Sequence, residues 1–238
     1  GNQITNLSPC EMELLILAAS LHDLGMVYEN KEKEAYLGDK QKFQQFLRKN
    51  CPEHLGCDSE QCPENIRQWY LRSLHPFRVS SVLQNKKWTK LMSRRPREIV
   101  SENCICAVCE AHGQSSEDLQ TSPKLQPLPF DKTDPLFCAL LLRLADLLDF
   151  DDTRAPEVLY KYAAKFEESR KEFKKHRASA GFNYPDAPST KELPYKARCS
   201  DPIIEHTVRD FLDWIDYELH NCQILQKNCT KDWQREFP

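Results

Sequence analysis

The run "PLFCALLLRLADLLDF", residues 135 to 150, is the most apolar helical stretch of the chain, and its charged members Arg143, Asp146 and Asp149 recur at three-residue steps. That pattern describes a buried rod with one polar line along it. The rest of the sequence repeats the helical period. "NLSPCEMELL" presents Ser8 as an N-cap, Pro9 at the first helical position and Glu11 three residues after the cap, a capping box. Leu14, Leu17, Ala18, Leu21 and Leu24 continue the stripe toward a stop at Gly25.

"QKFQQFLRKN" is a short amphipathic helix, and "ENIRQWYLRSL" resumes the period through Ile66, Trp69, Tyr70 and Leu74 until Pro76, which should kink or restart it. "PREIVSENCICAVCEAHG" is helical and ends at Gly113, while "PEVLYKYAAKFEESRKEFKKH" predicts a long helix whose charges form a solvated face. A final long helix begins with Asp201 as N-cap and Pro202 at the first position. The segments between, 51–64, 113–133 and 181–202, read as loops by their Pro, Gly and polar content. Six Gly stand against fifteen Pro, and no strand pair is predicted. The expected fold class is all-α, a multi-helix bundle with a long C-terminal helix.

Composition sets outer bounds. A chain of 238 residues can build one generous domain or two small ones. A net charge of -3 gives no global basic field for long nucleic acids. Eleven Cys, an odd number without a secretory leader pattern, predict free thiols in a reducing compartment. No apolar run is long enough to cross a bilayer, so the chain is expected to be soluble and cytoplasmic, with no membrane partner.

Against this helical background four places stand out: the adjacent His22 and Asp23 in "LAASLHDLGM", His75 in "LRSLHPFR", His112 in "VCEAHG", and Asp146. Each lies near an apolar segment. Taken singly, each reads as a hydrogen-bonded helix residue, with Arg143 as a partner for Asp146. Taken as an ordered set, they offer the imidazole and carboxylate ligands that suit Zn, Mn, Fe, Ni or Mg.

In that set the sequence resembles the HD superfamily of metal-dependent phosphohydrolases, whose pattern is an early His, an adjacent His-Asp pair and a late Asp on helices. "SLHDLGM" matches the pair, and "LLRLADLLDFDDTRAP" is similar to the late-Asp helix, with Asp146 in the ligand position. His75 and His112 stand where members with a second metal carry extra histidines. The resemblance covers most of residues 8 to 160 and is nearest to bacterial HD domains that precede a chaperone-like ATP-binding domain. It implies a metal-binding helical core over 1–160 and a C-terminal helical extension over 161–238 packing on it. Residues 1 to 21 contain no His, so the family's first His is expected upstream, outside this chain.

The resemblance implies one or two divalent ions on His22, Asp23, His75, His112 and Asp146, with Asp23, His75 and His112 at the reacting centre. Such ions activate a bound water for attack on phosphorus. The arginines nearest in sequence, Arg72, Arg78 and Arg154, are the candidates for holding the remaining phosphate oxygens. The expected activity is hydrolysis of a phosphate ester, a nucleotide or a related compound, with the 113–133 loop shaping the pocket. A nucleotide-sensing regulatory module with weak or no catalysis, coupled to a fused or partner ATP-binding domain, is the alternative. A separate metal signal is the loop "CPEHLGCDSEQC", where Cys51, His54, Cys57 and Cys62 supply the ligand types of a structural zinc, with reduced thiols as the competing reading. Cys104, Cys106 and Cys109 sit on a helix at steps that point to different faces, which favours packing.

Overall fold

Helices start where side chains accept the orphan amide hydrogens of a first turn. The computed structural model describes residues 7–84, 100–128, 133–156, 167–183 and 193–227. The Ser8 amide donates to Glu11 Oε2 at 2.8 Å and the Glu11 amide to Ser8 Oγ at 3.2 Å, the predicted capping box. It opens α1 (Pro9–Leu21), and α2 (Asn30–Gly38) follows. Asp39 then caps α3 (Lys40–Asn50), and α4 spans Glu64–Leu83. Ser101 caps α5 (Glu102–Ala111), Ser115 caps α6 (Ser116–Thr121) and Asp134 caps α7 (Pro135–Leu148). Beyond these come α8 (Glu167–Ala178) and the long C-terminal α9 (Pro202–Gln226), capped by Asp201 as predicted. The fold is all-α.

Several elements depart from the sequence reading. α4 runs through Pro76 without a restart. α2 buries none of its residues, so it carries no apolar stripe to announce it. The 113–133 segment is not structureless: Ser115 accepts the Asp118 amide, Leu119 is buried, and a 3-10 turn covers Pro123–Leu125. The stretch read as a loop over 181–202 contributes to a small antiparallel pair, β1 (Ser179–Phe182) and β2 (Tyr195–Ala197). Residues 96–99, 129–132, 157–166 and 184–192, which fall in predicted helices and loops, lie outside the described residues.

The described residues form two compact units. One is Ile16–Gly113, whose core joins Phe43, Phe46, Leu47, Cys51, Cys62, Ile66 and Tyr70, with Phe43 and Tyr70 edge to face at 5.1 Å between ring centroids. The other takes the described residues of Gly1–Leu15 and Gln114–Pro238. There α9 packs on α7 and α6, and the α7 face buries Phe137, Leu140, Leu144 and Leu147. Arg143 is half of a nearly buried ion pair, its Nε donating to Glu218 Oε2 at 2.7 Å while another nitrogen donates to the Gln114 carbonyl at 2.8 Å. The boundary read from sequence near residue 160 falls inside this second unit. Among the described residues, no helix is long and apolar enough to cross a membrane.

Candidate metal centre

The His-Asp pair stands on a change of helix type. α1 stops at Leu21, and His22–Met26 continues as a 3-10 helix that lies against α4. Gly25 makes that approach feasible, because a Cβ there would fall 2.0 Å from the His75 carbonyl oxygen and 3.2 Å from Arg78 Cβ. His75 projects from the middle of α4, and His112 is the residue that ends α5. All four side chains therefore come from the Ile16–Gly113 unit.

Each imidazole is tethered in the same way. His22 Nδ1 donates to the Ala19 carbonyl at 2.9 Å, His75 Nδ1 to the Arg72 carbonyl at 2.6 Å, and His112 Nδ1 to the Cys109 carbonyl. A carbonyl can only accept, so Nδ1 carries the proton in each ring and Nε2 presents its lone pair when the ring is neutral. Those lone pairs converge. His75 Nε2 lies 2.7 Å from His112 Nε2 and 3.3 Å from Asp23 Oδ1, while His22 Nε2 lies 3.5 Å from Asp23 Oδ2. The His22 and His112 rings meet edge to face, 5.3 Å apart.

Two imidazole lone pairs at hydrogen-bonding distance repel one another unless a cation or a proton lies between them. One such group of metal-ligating atoms, Asp23, His75 and His112, gathers within 4.8 Å among the described residues. When the imidazoles carry a second proton on Nε2, the Asp23 carboxyl is held down to about 2, chiefly by the hydrogen bond from His75 and further by the charges of His22, His75 and His112, against burial that raises it. Asp23 is half exposed, with a side-chain exposure of 54%, whereas His75 is at 14%, so the carboxylate forms the open side of the group.

The other predicted residues divide. Arg72 is exposed on α4 one turn before His75 and lends its carbonyl to that imidazole. Arg78, expected to hold phosphate, is enclosed at 2% exposure. Its guanidinium donates to the Gly25 and Val27 carbonyls, pairs with Glu32 at 2.5 Å and lies 3.4 Å over the Tyr28 ring. It is a strut beneath the His-Asp segment, and its donors are taken up by the protein itself. Sequence reasoning missed Gly25, Tyr28 and Glu32. The Gly two residues after Asp23 was the one local signal, while Glu32 meets Arg78 across 46 positions. Asp146 lies on α7 and Arg154, ion-paired with Asp149, on the 3-10 turn Asp152–Arg154, both in the other unit.

The cysteine loop does not gather a tetrahedral set. Cys51 and Cys62 are buried in the aromatic cluster of α3 and α4, Cys57 packs against it, and His54 lies 3.9 Å from Glu53. Burial, with the neighbouring Cys57 and Cys51 thiols adding to it, pushes the Cys62 thiol up to about 11, and burial raises that of Cys51. Cys104, Cys106 and Cys109 are buried on α5, as packing predicts.

No curated protein and no solved structure matches this chain. A family model described as HD-CE matches residues 1–221, which takes in the His-Asp pair, both further histidines and Asp146. With that match over most of its length, and with the His22-Asp23 pair set beside His75 and His112, the chain belongs to the HD-CE family of HD-type domains.

Proposed function

We propose that the protein is a metal-dependent phosphohydrolase acting on a small phosphate ester, a nucleotide or a related compound. The observation that carries this reading is the convergence of the His75 and His112 Nε2 atoms at 2.7 Å, with both Nδ1 atoms committed to backbone carbonyls. Metal-binding histidines are commonly fixed in this way, the second nitrogen tied to a carbonyl so that the first is presented in the correct tautomer. The donor set of neutral nitrogen and carboxylate oxygen fits a first-row divalent ion or Mg.

His75, His112 and Asp23 Oδ1 would hold one ion, and Asp23 Oδ2 and His22 Nε2, 3.5 Å apart, would contribute to a second. Asp146 joins the ligands in this reading on the sequence pattern alone. A bound divalent ion supplies Lewis acidity toward water and toward phosphoryl oxygen. Asp23, ionised at all but strongly acidic pH, would stand at the reacting centre as a carboxylate ligand that orients the attacking water by accepting its hydrogen bond. With Arg78 committed to the interior, Arg72, on the exposed face of α4, and, on the sequence pattern alone, Arg154 are the guanidinium groups that would steady the phosphate. A fused or partner ATP-binding domain enters as a regulator of this site on the resemblance alone.

Elemental mass spectrometry of protein purified without added metal tests the reading. One or two equivalents of Mn, Fe, Ni, Mg or Zn are expected, lost in a His22→Ala, His112→Ala double variant, together with metal-dependent turnover in a screen of phosphate esters. A wild-type protein that neither retains nor takes up a divalent ion would overturn it.

A further inference from the structure

In a regular helix the carbonyl of residue 72 accepts the amide hydrogen of residue 76. Residue 76 is proline and has no amide hydrogen. The Arg72 carbonyl is therefore left over inside α4, and His75 Nδ1 takes it at 2.6 Å. The helix nonetheless continues to Leu83, with Pro76 buried in it. On its other side the Pro76 ring lies against Gly113, the residue after His112: a Cβ at 113 would fall 2.4 Å from Pro76 Cγ and 2.9 Å from Pro76 Cβ. One residue thus leaves open the acceptor that orients the first imidazole and touches the backbone next to the second.

We propose that Pro76 is a positioning residue for the metal centre. By withholding an amide hydrogen from the Arg72 carbonyl, it fixes His75 as the Nδ1–H tautomer and turns its Nε2 lone pair toward His112 and Asp23. The inference deepens the metal-centre reading and rests on it for its consequence, but the tautomer is readable in protein without any ion. An alanine at 76 would restore the amide hydrogen, and the backbone would compete with the imidazole for Arg72. A lactic acid residue at 76, which joins the chain through an ester, withholds that hydrogen as proline does but lacks the ring that lies on Gly113.

The test is long-range nitrogen-15 NMR of the His75 imidazole in metal-free protein, followed from neutral to alkaline pH, beside Mn(II) titration. It compares wild type, Pro76→Ala and the lactic acid variant, with far-UV dichroism to confirm the helices. Wild type and the ester variant should both show Nδ1–H on His75, with its Nε2 as acceptor of the proton shared with His112. Pro76→Ala should shift His75 toward the Nε2–H tautomer and weaken Mn(II) binding about 10- to 100-fold, the usual effect of losing an outer-shell partner. If Pro76→Ala keeps the Nδ1–H tautomer, or if the ester variant loses it as alanine does, the missing amide is not the cause and the proposal falls. If wild type binds no Mn(II) while the tautomer still moves in Pro76→Ala, the positioning role stands and the metal reading fails.

Discussion

The His22–Asp23 segment and the Cys51–Cys62 loop belong to the same unit, and both are rich in side chains that bind metals, yet their donor atoms are treated in opposite ways. At the first, backbone carbonyls take the Nδ1 hydrogens, and the Nε2 atoms of His75 and His112 are brought to 2.7 Å on a face that Asp23 leaves open to solvent. At the second, the thiols of Cys51 and Cys62 turn into a cluster of Phe43, Phe46 and Tyr70, where burial keeps them protonated. Ligand types alone do not make a site. What separates the two is that each imidazole has a second nitrogen tied to a backbone carbonyl, which fixes where the first points, whereas a thiol has a single donor atom and here packs into the aromatic cluster.

The largest expected effect sets the two places directly against each other. Replacing His75 by alanine removes a ligand and should weaken metal binding at least about 100-fold, more than the loss of an outer-shell partner, while Cys62→Ser leaves metal content unchanged. Elemental mass spectrometry on the two variants reads both, and equal loss in Cys62→Ser would break the distinction. Next in size is the fit of the 3-10 segment on α4. Gly25→Ala must push a methyl group into the His75 carbonyl, so urea denaturation of metal-free protein should show a loss of about 1–3 kcal/mol, the usual penalty of overpacking. An unchanged midpoint would mean that the segment carrying the pair is loosely seated.

The smallest effect is a rate. With the Cys62 thiol raised to about 11 by burial, its reactive thiolate is scarce at neutral pH and grows as pH rises. Alkylation of the folded protein, followed residue by residue by mass spectrometry, should therefore be slow at Cys62 and should accelerate up to about pH 11. A plateau near pH 8.5, the range of an unperturbed thiol, would show a solvated loop and revive it as a zinc candidate.

Where the physics is local, the sequence was legible. The Ser8–Glu11 capping box and the Asp201 cap involve residues three apart, and both formed as read. The ligand types at His22, Asp23, His75 and His112 were legible for the same reason, since chemistry is written in the residue itself. The fate of Arg78 was not, because its phosphate-like partners, the Glu32 carboxylate and two carbonyls, are supplied by a segment 46 to 53 positions away. Nor was the continuity of α4: proline's penalty is a local rule, whereas α4 runs through Pro76 in a stretch closely approached by Gly25 and Gly113, contacts that no local pattern announces. The pairing of β1 with β2 was hidden too, since strands of four and three residues leave little alternation to read.

The Glu11 carboxylate also bears on the order in which the chain is made. It is fully buried, and besides the Ser8 amide it accepts the amide of Asp134, 123 positions further on. At ribosomal rates of about 5–20 residues per second, Glu11 waits roughly 6 to 25 seconds for that partner. The Ile16–Gly113 unit, being continuous, leaves the ribosome whole within the same interval. During translation, then, the unit that gathers His22, Asp23, His75 and His112 can fold while the other still holds an unburied acid.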